Sequence, residues 1–216
     1  MIEARIQRLV DGPSRGTEGD RRIFQYFEAR DRMERFRTEA SGLLAGITNG
    51  DSPSFQQSLG LGADLLANDI CQSVFVDTNL IWDTHLGNFN QHANFEVLFA
   101  GLGVLYAKLQ SEGILDDTLV YVASEMTRTP KLNPDVGKDH WPHTSVMFFG
   151  GGVKGGRVYG GTDEQLSSSP IDLESGDLSA SGSALTYSSL CAGILASVGV
   201  EPSEWFPGTG VYRGPL

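Results

Sequence analysis

Long apolar runs are missing from this chain. Nothing in it approaches the roughly 18 consecutive apolar residues that carry a helix across a bilayer, so no membrane span is expected. The opening stretch, MIEARIQRLVDGPSRGTEGD, has no apolar core of the kind an export signal requires. Cysteine is scarce, with only Cys71 and Cys191 in 216 residues. Neither stands in a CxxC or Cys/His spacing and both lie in apolar segments, which favours small buried hydrophobes over a redox pair; a disulfide between them stays open. Positive charge is also short, since 16 Lys and Arg face 27 Asp and Glu for a net charge of -11. That balance argues against a nucleic-acid surface, whose affinity rests on neutralising phosphates. It is compatible with cation binding and with simple solubility.

What is present reads as one domain over residues 1–216, with a helical, charged lead-in over residues 1–50. From Asp20, the positions Ile23, Tyr26, Phe27, Met33, Phe36, Ala40, Leu43 and Leu44 fall on one helical face. Asn49-Gly50-Asp51-Ser52-Pro53 breaks that pattern, and residues 55–70 read as a second helix. Residues 71–77, CQSVFVD, have the composition of a short strand. Helical spacing then runs from Phe95 to Leu109, and residues 115–123 form a second, near-continuously apolar strand. Strand, helix, strand implies a crossover and a parallel, buried pair. A third strand is expected at 145–149, a hairpin into Arg157-Val158-Tyr159, and an amphipathic helix over 187–198 capped by Thr186 and stopped by Gly199. The tail with Trp205 and Phe206 is expected on the surface. The resulting fold class is α/β, a mostly parallel sheet flanked by helices.

All four histidines, at 85, 92, 140 and 143, fall in the two loops expected after the first two strands. Ligands in open parallel α/β sheets bind beyond the carboxyl ends of strands, so this placement marks a candidate site. The first loop carries Asp83-Thr84-His85, and alternate residues of an extended segment share a face. The second opens with Glu125, a carboxylate just past an apolar strand, where burial requires pairing or a metal. Arg128 could pair with it or grip an anion. The second loop ends in Lys138-Asp139-His140-Trp141-Pro142-His143. Asp83, His85, Glu125, His140 and His143 are the candidate ligands, with Asp139 to orient them and Arg128 and Lys138 to hold an anion. Imidazole with carboxylate suits zinc, manganese or iron better than calcium. No G-x-S-x-G elbow is present, and no catalytic nucleophile is found.

The segments WDTH, DDTLVYVASEMTRTP, GKDHWPHTSVMFFGGGVKGG and VYGGTDE, in that order, resemble a bacterial family, domain of unknown function 1501. That family is related to the alkaline-phosphatase/sulfatase-like superfamily. The resemblance implies that this chain is the C-terminal part of such a domain, acting on small anionic esters with a divalent metal and exported from the cell. It implies that Asp83 and His85 form one ligand group, Glu125 stands where the superfamily has Asp, and His140 or His143 is the later ligand. Met126 replaces the histidine expected after Glu125, which puts a two-metal mechanism in doubt. The superfamily nucleophile lies in an upstream half that residues 1–50 do not resemble. A phosphate or sulfate ester hydrolase is therefore the leading expectation. A non-catalytic binding module on the same framework, or a truncated inactive product, is the alternative.

Overall fold

A computed structural model describes residues 17–45 and 52–216. Residues 1–16 of the expected lead-in and Asn49, Gly50 and Asp51 of the expected break lie outside them. The described residues group into two compact units.

The first unit holds the described residues up to Asn79 together with Ala100–Lys108. Helix α1 (Thr17–Arg35) passes through a single π-helical stretch, Phe36–Ala40, into the short α2 (Ser41–Leu44). Of the face expected to be apolar, Ala40 is buried while Tyr26, Met33 and Phe36 are exposed. Helix α3 (Phe55–Ala67) begins with a capping box, in which Ser54 Oγ accepts from the Gln57 N–H and Gln57 Oε1 accepts from the Ser54 N–H. Leu59, Ala63 and Ile70 are buried here with Leu102 and Leu105. Gly101 gives the Phe55 ring its seat, because a Cβ there would collide with it. Asp64 and Lys108 pair at 2.6 Å.

The expected strand at 71–77 does not form. Val74 packs on Gly62, but Phe75 is 91% exposed, and β-branched composition makes no strand where no edge offers hydrogen bonds. Without it there is no crossover. Among the described residues the mostly parallel sheet is replaced by two antiparallel ribbons.

Both ribbons lie in the second unit, Leu80–Phe99 with Leu109–Leu216. Strand β1 (Leu119–Val122) pairs with β4 (Met147–Gly150), placing Val120 opposite Phe149. The connection between them carries the smaller ribbon, β2 (Thr127–Arg128) against β3 (His140–Trp141), so the chain returns antiparallel without a helix. The strand expected at 145–149 is thus real, beginning two residues later and ending one later, whereas Arg157-Val158-Tyr159 forms none.

Helix α4 (Asn90–Ser111) runs through both units, and α5 (Tyr187–Ser197) belongs to the second. Thr186 caps α5 as expected, its hydroxyl accepting from the Ser189 N–H. Ile171, Leu190 and Tyr212 make the core of this unit, with Tyr121, Val146, Phe148, Leu173, Leu185 and Ile194 packed on it. The tail follows the sequence reading at Trp205, which is exposed, and corrects it at Tyr212. Gly193 has no Cβ to obstruct the Tyr212 carbonyl, so the tail passes close over α5 and the Tyr212 N–H bonds the Ser189 carbonyl at 3.1 Å. Among the described residues no helix is long and apolar enough to cross a membrane.

Candidate metal centre

The site is built in the second unit, where residues 82–88 meet the β2–β3 connection. The first loop is fastened by the start of α4. Thr84, only 3% exposed, accepts from Gln91 Nε2 at 3.0 Å, and the same amide reaches the Trp82 carbonyl at 3.3 Å. The Trp82 ring lies edge-on to Phe95. With Thr84 turned inward, Asp83 and His85 share the opposite face, as their spacing predicted. Asp83 Oδ1 and His85 Nε2 stand 3.2 Å apart.

The second loop is stitched to the first through its backbone. The Lys138 N–H bonds the Thr84 carbonyl at 3.1 Å, the Asn88 N–H bonds the Val136 carbonyl at 2.9 Å, and Leu86 and Val136 form a bridge. Gly137 makes this approach possible, since a Cβ on it would run into the His85 carbonyl. Asn133 is the hub. Its Nδ2 donates to the His85 carbonyl at 3.1 Å and to Asp139 Oδ1 at 3.0 Å, while its Oδ1 accepts from the N–H groups of Asp135 and Gly137.

The ribbon supplies the remaining groups. His140 on β3 lies opposite Arg128 on β2; its ring centroid is 4.8 Å from that of His85, and its Nε2 is 4.0 Å from Asp83 Oδ1. Asp83, His85 and His140 thus offer three ligand atoms mutually within 4.8 Å. Donors about 2.0–2.1 Å from a tetrahedral ion sit about 3.3 Å apart. The Asp83–His85 pair is already at that separation, and His140 Nε2 stands 4.0 Å from Asp83 Oδ1, within an ångström of it. The donor set fits a transition metal.

His85 carries a further signature. Its Nδ1 lies 2.9 Å from Asp139 Oδ1, so both ring nitrogens face carboxylate oxygens. With Nδ1–H donating to Asp139, Nε2 needs either a proton or a metal ion between itself and Asp83. Carboxylate, imidazole and metal in line is the arrangement that fixes the tautomer of a ligating histidine.

Electrostatics hold both carboxylates ionised. The hydrogen bond from Arg128 keeps the Asp83 carboxyl below its ordinary range, with the nearby His85, Arg128 and His140 adding to the effect. Hydrogen bonds from Asn133 and then His85 do the same for Asp139. Both are ready acceptors for a cation.

Two expected ligands stand elsewhere, and so does the fourth histidine, His92. Glu125 turns to its own backbone N–H and the Ser124 hydroxyl, which lower its pKa, and it is outside the three-residue group. Its neighbours satisfy it without burial, so the premise of a costly buried carboxylate fails. His143 pairs with Ser168 instead, and His92 is exposed in the first turn of α4 rather than in a loop. Arg128 has an orienting role: its guanidinium donates to Asp83 Oδ1 at 2.7 Å, to the Trp82 carbonyl and to the Lys138 carbonyl. Lys138 enters the network through its backbone. The sequence reading missed Asn133, although Asn133-Pro134-Asp135 is a turn signal whose side-chain acceptor could have been sought.

No curated relative and no solved structure matches the chain. The model of one family, protein of unknown function (DUF1501), matches residues 28–204. A match over most of the chain, spanning both loops that build the centre, places it: this protein belongs to the DUF1501 family.

Proposed function

We propose that the protein is a metal-dependent hydrolase of phosphate or sulfate esters, on a framework of the alkaline-phosphatase/sulfatase kind. The observation that supports this most is the convergence of Asp83, His85 and His140, with Asp139 behind His85. Zinc, manganese or iron would be held by those three side chains. A bound ion would supply Lewis-acid polarisation of an ester oxygen. Asp139 and Asn133 would keep the His85 ring oriented, and Arg128 would hold Asp83 toward the histidines. With the Arg128 fork engaged by protein groups, Lys138 is the side chain left to attract the anionic group. A second reading, a metal-holding module without turnover, is favoured by that same engagement of Arg128, which leaves no clamp for a phosphoryl or sulfuryl group.

Metal analysis after equilibration with zinc or manganese tests the centre, and hydrolysis of aryl phosphates and sulfates tests the chemistry. We expect one ion per chain, lost on His85→Ala and on Asp83→Ala, together with metal-dependent ester cleavage. Binding without cleavage would select the module. No binding at all would remove both.

A further inference from the structure

We propose that Ser168 and His143 form a second, metal-independent centre, a serine nucleophile with an imidazole base, acting on small uncharged carboxylic esters. The two side chains meet at an open cleft of about 570 Å³ in the second unit, a volume within the ordinary range for small-molecule sites. His143 Nδ1 is 3.1 Å from Ser168 Oγ and 3.3 Å from the Ser168 backbone nitrogen. A backbone N–H can only donate, so Nδ1 is the unprotonated nitrogen, whose lone pair faces both the Ser168 N–H and its hydroxyl, and Nε2 carries the hydrogen. The Ser168 hydroxyl therefore also donates to Nδ1. That is the geometry in which a histidine takes a proton from a serine.

Both partners are held in place. Ser168 sits in a loop where Thr162 and Ser168 bridge, the Asp163 N–H bonds the Ser167 carbonyl at 2.9 Å, and Asp163 Oδ1 accepts from the Gln165 and Ser167 N–H groups. The Trp141 indole N–H donates to the Leu166 carbonyl, fastening that loop beside the segment that carries His143. Ser168 itself is exposed, so a substrate can reach it.

The substrate class follows from the lining. Val146, Phe148, Val158 and Leu185 give the cleft an apolar wall. Its two cations are committed: Arg157 pairs with Asp177, and the Lys154 ammonium turns to the carbonyls of Arg213 and Gly214. The Arg157 charge is neutralised by a carboxylate and the Lys154 ammonium is turned to backbone carbonyls, whereas an apolar acyl group finds a wall. In the reaction, Ser168 Oγ bonds to the acyl carbon as its proton passes to His143 Nδ1. The ester C–O bond breaks, and the departing alkoxide takes that proton. Water then attacks the acyl-serine, giving one proton to Nδ1. The C–Oγ bond breaks, the carboxylic acid leaves, and the proton returns to Ser168.

This centre stands apart from the proposed metal site and is tested apart from it. The whole chain is treated with a fluorophosphonate reporter, which forms a P–Oγ bond with loss of fluoride, and the modified serines are mapped by mass spectrometry. Ser168 is expected to react at least about a hundredfold faster than exposed Ser188 on α5, the usual scale of general-base assistance. The advantage should vanish in His143→Gln, persist in His85→Ala and persist after chelation. Hydrolysis of p-nitrophenyl butyrate should be lost in Ser168→Ala, a change at an exposed position. Equal reactivity of Ser168 and Ser188 in the unaltered chain would overturn the proposal without need of a variant. So would reactivity that depends on metal, or a Ser168→Ala chain that hydrolyses the ester as before.

Discussion

Replacing Asn133 with alanine tests the joint between the two loops. The change removes four hydrogen bonds at once: to the His85 carbonyl, to Asp139 Oδ1, and from the N–H groups of Asp135 and Gly137. The bonds from Gly137 and Asp135 report directly, because amide exchange reads each N–H. A net backbone hydrogen bond is worth about 1 kcal/mol, and leaving a buried N–H unpaired adds about 1 kcal/mol more. Gly137 is buried, so its opening free energy should fall by about 2 kcal/mol, which is exchange faster by about thirtyfold. Asp139 would keep its contact with His85 yet lose the amide that aims it, and loss of such outer partners weakens metal binding by about 10–100-fold. Hydrogen exchange resolved over 133–139, followed by zinc titration, measures both quantities, with the amides around Leu190 as an internal control. Exchange unchanged at Gly137 would refute the reasoning. So would equal loss of protection at Leu190, because the amide would then support the whole unit rather than this joint.

Gly137→Ala should be more damaging than its size suggests, since the added methyl meets the His85 backbone; loss of metal binding together with lost protection at Asn88 is expected, and a variant that binds zinc normally would count against the close approach. The folded pKa values of Asp83 and Asp139 lie below their unfolded ones, so their contribution is present above about pH 3.9 and is lost as pH falls through the folded values. Protection across the loops, taken relative to the intrinsic exchange rate at each pH, should therefore hold at pH 5 and fall only below about pH 4; loss already at pH 6 would contradict the pairing. Tyr121, stacked on Phe148, has its phenol pushed up to about 12, chiefly by burial. Its ionisation is unfavourable in the folded chain, so stability should fall between the unfolded value near 10 and that limit. Burial raises Tyr187 and Tyr212 as well, so absorbance at alkaline pH should show several late-titrating tyrosines, one of which Tyr121→Phe removes.

Local chemistry was legible in the sequence wherever it was decided locally. The D-x-H spacing put Asp83 and His85 on one face because alternation needs no tertiary information. Thr186 declared the start of α5, and the adjacent Asp139 and His140 both stand beside the His85 ring. The reading failed where the outcome depended on a partner. Residues 71–77 have strand composition, but a strand exists only against another, and no described segment offers an edge. Inferring a parallel sheet from that one element then misdirected the account of β1, whose true partner lies past the smaller ribbon. Tyr212 failed for the same reason. Its burial depends on Gly193 some twenty positions earlier, and the tail alone gave no hint of it.

Arg128 decides how the centre should be understood, and charge can be separated from geometry there. Asp83 and Asp139 together bring two negative charges, and Arg128 cancels one before any ion arrives. A divalent cation entering beside a guanidinium that is itself 2.7 Å from Asp83 Oδ1 is opposed by it, while the same guanidinium holds the loop in shape through the Trp82 and Lys138 carbonyls. Arg128→Lys keeps the charge and loses the planar fork; Arg128→Gln loses the charge and keeps a shorter donor. If orientation dominates, both variants should bind zinc more weakly than the parent and expose the amides of 82–88 alike. If repulsion dominates, the glutamine variant should bind more tightly than the lysine variant, increasingly so at low salt, where charges are least screened. We expect the first result, because two of the three contacts made by Arg128 are with backbone carbonyls, which move only when the loops move. Zinc affinity rising in Arg128→Gln, with loop protection intact, would show that the arginine guards an empty site rather than building a competent one.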